Sequence, residues 1–183
     1  MPGIDIRERI SMARKELKPG DAAPDFDLPG DSGRRISLSA LRGKSVVLYF
    51  YPKDDTSGCT AEAIAFTRDA KSFAKAGAVV IGVSKDSPAT HDRFKAKHKL
   101  AVDLAADEDT SIAQSYGVWV EKSMYGRRYM GMERATFLID GNGKIRQIWR
   151  KVKVPGHSAE VLGALNLLYT GTASRAGRKF AQP

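Results

Sequence analysis

Two unbroken apolar runs, separated by a helical pattern, constrain the fold of this chain more than any other feature. The runs cover residues 46–51 and 78–83, and an apolar run of this length predicts a strand buried on both faces. Between them, apolar residues recur at helical spacing, which predicts one continuous helix over residues 60–76. A strand, a helix and a strand in this order require a parallel strand pair with a right-handed crossover.

Shorter patterns predict the elements on either side of this unit. Residues 26–28 and 36–38 alternate around a turn, which predicts an N-terminal β-hairpin. Residues 121–133 have no clear period and are predicted to form a loop. The order of the predicted strands and helices along the chain indicates an α/β fold. It has a mixed β-sheet flanked by helices on both faces, as a thioredoxin-like fold requires. The other predicted helices cover residues 87–99, 109–116 and 158–169, and the other predicted strands cover residues 101–105, 118–120, 135–140 and 144–151.

The chain of 183 residues has the length of one domain with flanking segments. Residues 21–170 are predicted to form the compact domain. In residues 1–20 a helical stripe of apolar residues ends at Pro19 and Gly20, so this extension is predicted to be a helix on the domain surface or in contact with a second copy. Residues 171–183 are small, basic and polar, and are predicted to form a flexible tail.

Composition limits the classes of function. Apolar content of 42% and charged content of 28% are ordinary for a soluble globular protein, and no apolar run is long enough to cross a bilayer. The N-terminus lacks the apolar segment of a secretory signal. The net charge of +9 is concentrated towards the C-terminus. A nucleic-acid surface is one interpretation, but no nucleic-acid motif accompanies the charge, and a solvated basic face is favoured.

Cys59, the only cysteine, follows a cluster of turn-forming residues and precedes the predicted helix of residues 60–76. A helix N-terminus favours an anion, and the thiolate is the nucleophilic form of cysteine. A buried structural cysteine is the alternative, and the flanking turn argues against it. One cysteine excludes an internal disulfide and a multi-cysteine zinc site, and it fits a reducing compartment such as the cytoplasm. The three histidines are interpreted as surface or supporting residues, with no metal site predicted: His91, His98 and His157.

The residues around Cys59 resemble a known family. The pattern Pro52-x-x-x-Thr56-x-x-Cys59 resembles the active-site signature of the peroxiredoxins, and residues 49–62 resemble the bacterioferritin-comigratory-protein subfamily, or Q type. Arg134 occupies the position of that family's second-site arginine, and residues 149–157 resemble its C-terminal segment. The resemblance extends from about residue 18 to residue 169.

The resemblance implies a thiol peroxidase that reduces hydrogen peroxide and organic hydroperoxides without a metal or organic cofactor. The Cys59 thiolate attacks one peroxide oxygen and the other oxygen leaves, so fixed hydrogen-bond donors around both atoms lower the barrier. By the family pattern, Arg134 and the Cys59 backbone N–H supply these donors, and Arg134 keeps the sulfur ionised. Thr56 provides a hydroxyl that binds the peroxide, and Pro52 limits the access of water.

Each of these residues also has a simpler interpretation. Pro52 ends a strand, Thr56 is a hydroxyl at a helix entry, and Arg134 is a surface charge. Their joint occurrence at the family's spacing favours the catalytic interpretation. Glu62 complements the helix dipole and is given no direct role. The aspartates at 54 and 55 are predicted to shape the loop.

The chain departs from its subfamily at the position of the resolving cysteine. Many Q-type relatives place that cysteine five residues after the first, where this chain has Ile64. The resemblance then implies a one-cysteine cycle, in which a Cys59 sulfenic acid is reduced by thioredoxin, glutaredoxin, glutathione or another small thiol. Ser57 replaces a frequent proline, with little consequence expected.

Other hypotheses remain open from the sequence alone. They are a thiol-dependent transferase or reductase on the same fold, a peroxide sensor that relays oxidation to a partner, and a basic binding module. A monomer and a homodimer are both compatible with the sequence.

Overall fold

The computed structural model describes residues 16–177, with side chains described as far as residue 170. Residues 16–18 are irregular and Pro19–Gly20 form a turn, while the predicted helical stripe before them lies outside the described residues. The last helix extends to Gly177, beyond the predicted end at residue 169. The remainder of the predicted tail, residues 178–183, also lies outside the described part.

A five-stranded mixed sheet forms the centre of the fold, as predicted. Its strands lie in the order β5 (Asp103–Ala106), β4 (Ala78–Ser84), β3 (Ser45–Phe50), β8 (Ala135–Ile139) and β9 (Ile145–Trp149). Strands β3, β4 and β5 are parallel, whereas β8 and β9 are antiparallel to their neighbours. Every residue of β3 is buried, because this strand has a neighbour on each side and a packed layer on each face.

Two apolar layers cover the faces of this sheet. The first face packs against the hairpin of β1 (Asp27–Pro29) and β2 (Arg35–Ser37) and against the short helix α4 (Ser111–Ser115). The predicted N-terminal hairpin is therefore confirmed. The second face packs against four helices, and the apolar layer between this face and the helices contains Cys59. These helices are α1 (Ser57–Arg68), α2 (Ala70–Lys75), α3 (Pro88–His98) and α5 (His157–Gly177).

The prediction of one continuous helix over residues 60–76 is wrong, because α1 and α2 are separated at Asp69. That residue has φ −93° and ψ 5°. Its carboxylate accepts a hydrogen bond of 2.7 Å from Ser158 Oγ at the start of α5, and the same hydroxyl lies 3.4 Å from the Ala65 carbonyl oxygen. Asp69 N still donates a hydrogen bond of 3.2 Å to the Ala65 carbonyl oxygen, so the backbone ladder of α1 is intact up to the break, and the break coincides with these contacts to α5.

The prediction of a loop over residues 121–133 is also wrong. Strands β6 (Trp119–Met124) and β7 (Arg127–Met132) pair in an antiparallel hairpin. Its turn consists of Tyr125 and Gly126, which both have positive φ, as a tight hairpin turn requires. Most of its residues are exposed on both faces. Neither face therefore carries the alternating apolar pattern by which a strand is recognised in sequence.

Two of the three histidines are buried, so of the two predicted alternatives, surface or supporting residue, a surface position does not apply to them. His91 contacts the Ala105 carbonyl oxygen and Asp54, and His157 contacts Thr136 Oγ1 at 2.8 Å. Polar partners supplied by other elements make this burial acceptable. Within residues 16–177, no helix is long and apolar enough to cross a membrane.

The packing of Tyr49 between β4 and α1 gives a first testable consequence. A Cβ at Gly82 would lie 2.6 Å from Tyr49 Cζ, and the tyrosine ring is fully buried and stacked on Phe66. We expect Gly82→Ala to lower the free energy of unfolding by about 1–3 kcal/mol, because the ring has no free volume to enter. Gly163→Ala is the matched control, since its Cβ meets open space in α5. Urea unfolding should show that Gly163→Ala is more stable than the parent protein by about 0.5–1 kcal/mol. Equal effects of the two substitutions would contradict the packing argument.

Candidate active site

Cys59 is the third residue of α1, at the predicted helix N-terminus. The sulfur is nevertheless buried, with only 1% of the residue exposed. It belongs to the apolar cluster on the second face of the sheet, together with Tyr49, Tyr51 and Phe66. The residue thus combines an N-terminal helix position with a location that excludes water.

Arg134 lies beside this sulfur. Its Nη2 donates a hydrogen bond of 3.4 Å to Cys59 Sγ, and its Nη1 donates one of 2.9 Å to Glu62 Oε1. Only 17% of the Arg134 side chain is exposed, so the interpretation as a surface charge is wrong. The negative charges of Glu62 and Cys59 and these hydrogen bonds raise the pKa of Arg134, although its burial opposes them.

Two neighbouring backbone segments make room for Arg134 and hold it. A Cβ at Gly58 would lie 3.1 Å from Arg134 Nη2, so a glycine allows the guanidinium to approach the start of α1. The Arg134 carbonyl oxygen accepts a hydrogen bond of 2.9 Å from Val152 N. Val152 belongs to residues 149–157, which resemble the C-terminal segment of the Q-type subfamily. That segment therefore supports the arginine rather than the sulfur.

Glu62 is the residue whose role the sequence interpretation missed. Its side chain is buried and pairs with Arg134, and its Oε2 has no hydrogen-bond partner within the described part of the chain. Burial raises the pKa of Glu62 from 4.5 to about 7, although the charge of Arg134 opposes the shift. Cys59, Glu62, Ala63 and Phe66 share one buried face of α1. An acid on an otherwise apolar helical face is the sequence signal that indicates such a role.

Thr56 and Pro52 lie in the loop that precedes α1. Thr56 is exposed, and its Oγ1 donates a hydrogen bond of 2.8 Å to the Lys53 carbonyl oxygen. Its own carbonyl oxygen accepts from Thr60 N at 2.8 Å, as expected at a helix entry. Pro52 is half-buried at the beginning of the loop. The structure thus places these two residues on the chain segment that leads to Cys59.

The β6–β7 hairpin contributes one further cation to the surroundings of the site. Lys122 on β6 is half-buried, and its Cδ would lie 3.0 Å from a Cβ at Gly131 of β7. Burial and then the charge of Arg134 lower the pKa of Lys122, while the charge of Cys59 opposes this shift. Sequence reasoning missed Lys122 because it treated the hairpin as a loop. Among residues 16–177, no cluster of three or more histidine, cysteine or acidic side chains is arranged to hold a metal ion.

Comparisons with known proteins agree with this geometry. Residues 19–148 match the AhpC/TSA family. The chain is 51% identical to a peroxiredoxin Bcp of Coxiella burnetii over 149 residues, which are 81% of this chain and 99% of that one. It is 50% identical to the peroxiredoxin Bcp of Bacillus subtilis over 146 residues, which are 80% and 93% of the two chains.

A solved structure of the bacterioferritin comigratory protein of Xanthomonas campestris is also similar. Its TM-score is 0.75 and its sequence is 44% identical, with 78% of this chain and 90% of that chain covered. That protein was studied for its reduction of alkyl peroxides through a trapped intermediate and ligand complex.

The raised pKa of Glu62 leads to a prediction about stability. Burial disfavours the ionised form of Glu62 in the folded state. The protonated carboxyl group therefore contributes to the free energy of unfolding, and this contribution is fully present below about pH 4.5. That contribution is lost as the pH rises through about 7, by up to about 3 kcal/mol. We expect Glu62→Gln to remove this dependence and to gain stability relative to the parent protein between pH 5 and pH 8.

Urea unfolding of the reduced parent protein and of reduced Glu62→Gln, each at pH 5 and at pH 8, measures this pH dependence of stability. Burial lowers the pKa of His157, whose contribution is instead lost as the pH falls below its ordinary value of 6.5. This contribution is common to both proteins and cancels in the comparison. Equal pH dependence in the two proteins would mean that Glu62 does not titrate as expected.

Proposed function

Because the chain belongs to the AhpC/TSA family and is a peroxiredoxin, a thiol-dependent peroxidase, we propose that Cys59 is its peroxide-attacking residue. The observation that supports this assignment best is the guanidinium of Arg134, which donates to both Cys59 Sγ and Glu62 Oε1. A positive charge at the sulfur stabilises the thiolate that attacks the peroxide. The other negative partner, Glu62, fixes the direction of the guanidinium.

The oxidation step follows from the positions of these groups. The Cys59 thiolate attacks one oxygen of the hydroperoxide, an S–O bond forms, and the O–O bond breaks. Cysteine is oxidised to sulfenic acid, and the peroxide is reduced to water or an alcohol after its leaving oxygen takes up a proton. Arg134 and the Cys59 backbone N–H stabilise the charge that moves from sulfur to oxygen. Because the pocket excludes water, these interactions are stronger than in solution.

Thr56 and Pro52 are proposed to bind the peroxide and shield the sulfur. Thr56 Oγ1 already donates its hydrogen to the Lys53 carbonyl oxygen. The lone pairs of Oγ1 therefore remain available to accept a hydrogen bond from the O–H of the substrate. Pro52 carries no N–H and presents an apolar ring at the start of the loop, which limits the access of water to the site.

The reduction step requires a thiol from outside the chain. Ile64 occupies the position five residues after Cys59, and its side chain is 47% exposed. The external thiol attacks the sulfenic sulfur, water leaves, and a second thiol restores Cys59 from the mixed disulfide. We propose thioredoxin, glutaredoxin or a small thiol as this reductant, acting in a reducing compartment such as the cytoplasm. A monomer satisfies this cycle, since one chain supplies each residue named above.

Trapping the sulfenic acid tests the role of Cys59 and Arg134. Reduced protein is mixed with one equivalent of hydrogen peroxide, and thiol loss and a sulfenic-acid adduct are followed by intact mass. We expect the adduct within seconds, none in Cys59→Ser, and a rate lower by roughly 10²–10³ in Arg134→Ala. Arg35→Ala is the matched control, because Arg35 is exposed and bonds to the carboxylate and the carbonyl oxygen of Asp27, in a different part of the structure.

If Cys59 reacts no faster than a free thiol in solution, the assignment is wrong and a basic binding module becomes the hypothesis to test. Turnover with a small thiol separates the enzyme from a peroxide sensor. A sensor that relays its oxidation would turn over only with its partner.

The proposed role of Thr56 is tested by exchanging its hydroxyl. Thr56→Val keeps the shape of the side chain and removes the acceptor, so we expect oxidation of Cys59 to slow by about tenfold or more, equivalent to about 1.4 kcal/mol. Thr56→Ser keeps the hydroxyl and should retain most of the rate. Stopped-flow measurement of the oxidation rate constant compares the three proteins, and equal slowing in both variants would show that the Thr56 hydroxyl does not bind the peroxide.

A further inference from the structure

The active-site loop, defined as residues 52–56, is held against α3 by a buried side chain. Asp54 is buried, and its Oδ2 lies 2.6 Å from Nδ1 of His91, which is also buried. Its Oδ1 accepts a hydrogen bond of 2.5 Å from the Tyr51 hydroxyl. The backbone N–H of Asp54 donates a bond of 2.8 Å to Asp86 Oδ2. The loop is therefore held through both the backbone and the side chain of one residue.

The hydrogen-bond partners of Tyr51, Asp54 and His91 indicate which of their atoms carry hydrogens. His91 Nε2 lies 3.0 Å from the Ala105 carbonyl oxygen, which only accepts, so Nε2 carries a hydrogen. A second proton lies between His91 Nδ1 and Asp54 Oδ2. Burial raises the pKa of Tyr51 well above its ordinary value, so its hydroxyl keeps its hydrogen and donates. Each polar side-chain atom of the three residues thus has a partner, and a fully satisfied buried network fixes its side chains in one arrangement.

A second, exposed set of contacts joins the same two elements. Asp55 Oδ2 lies 2.7 Å from Lys97 Nζ, and its Oδ1 lies 2.8 Å from His98 Nε2. Asp55 has φ +59°, a conformation that is uncommon for a residue other than glycine. Such a turn persists only where its surroundings stabilise it. Exposed ion pairs contribute little in water, so the buried contacts of Asp54 are the main support of the turn.

We propose that Tyr51, Asp54 and His91, here called the His91 network, hold the active-site loop in the conformation that reacts with peroxide and oppose its opening to the reducing thiol. This role rests on the proposed function of Cys59. The loop leads directly into α1, and Cys59 is the third residue of that helix. His91 is a positioning residue, because it acts on the sulfur only through the loop.

The two half-reactions make opposite demands on the loop. Oxidation needs Arg134, the Cys59 N–H and Thr56 arranged around the sulfur, so it needs the closed loop. Reduction needs an external thiol to reach a sulfur in a residue that is 1% exposed, so it needs the loop to open. Loss of the His91 network therefore slows oxidation and speeds reduction. A loss of general stability does not produce opposite effects on the two steps.

The experiment measures both steps in separate stopped-flow mixes, with hydrogen peroxide for oxidation and 2-mercaptoethanol for reduction of the preformed sulfenic acid. We expect His91→Leu to lower the oxidation rate constant by about tenfold and to raise that of reduction several-fold. Tyr51→Phe keeps the ring and removes one hydrogen bond, so it should shift both rates in the same directions by less. His91→Asn restores a donor near the position of Nδ1 and should recover part of the oxidation rate.

Lys95→Met is the matched control on the same helix. Lys95 Nζ lies 2.8 Å from Asp31, so this variant weakens the anchoring of α3 away from the loop. Both of its rate constants should stay within about twofold of the parent protein. Rates in His91→Leu and Tyr51→Phe that are unchanged, or that change in the same direction, would overturn the proposal.

Amide hydrogen exchange of residues 52–62 separates this proposal from the proposed function, because it needs no turnover. Faster exchange in His91→Leu and Tyr51→Phe, but not in Lys95→Met, is the expected result. If the parent protein fails to react with peroxide, the proposed function is wrong. Unchanged exchange in the two network variants would overturn the role of the His91 network independently.

Discussion

The guanidinium of Arg134 is the interaction on which the site depends, because it is shared between a sulfur and a buried carboxylate. A cation and an anion taken out of water both lose hydration, and only close mutual contact offsets that loss. The Arg134–Glu62 contact supplies it at 2.9 Å, while the second nitrogen of the same group reaches Cys59 Sγ. Burial raises the pKa of Glu62 despite this contact, and its Oε2 has no hydrogen-bond partner in the described chain.

The rest of the fold serves to keep this group in place. Cys59 and Glu62 come from α1, whereas Arg134 comes from the connection between β7 and β8. Strands β3 and β8 are neighbours in the sheet, so the segment after β3 and the segment before β8 meet at one edge. The antiparallel pairing of β3 with β8 therefore brings together residues that are 75 positions apart in the chain.

The sequence predicted the features that depend on local pattern. The buried strands, the N-terminal hairpin and the helix position of Cys59 follow from apolar runs and turn residues, which act over a few positions. The break at Asp69 coincides with a contact to α5, and the burial of His91 depends on partners from distant elements, so no local pattern indicates either of them. The β6–β7 hairpin was missed because its strands are exposed on both faces. The resemblance to the peroxiredoxins identified Arg134, but the importance of Glu62 became visible only when its contact with that arginine was known.

The exposed side chain of Ile64 has a consequence for oxidative damage. A sulfenic acid that can be captured by a thiol in the same chain is short-lived at any concentration of reductant. In the cycle proposed for Cys59, the lifetime of the sulfenic acid would depend on how quickly an external thiol arrives, and a second peroxide would compete for it throughout that time. That competing reaction gives a sulfinic acid, which ordinary thiols do not reverse. The fraction of protein inactivated per catalytic cycle is thus set by the ratio of peroxide to thiol around the molecule, and the protein is most vulnerable where thiols are depleted.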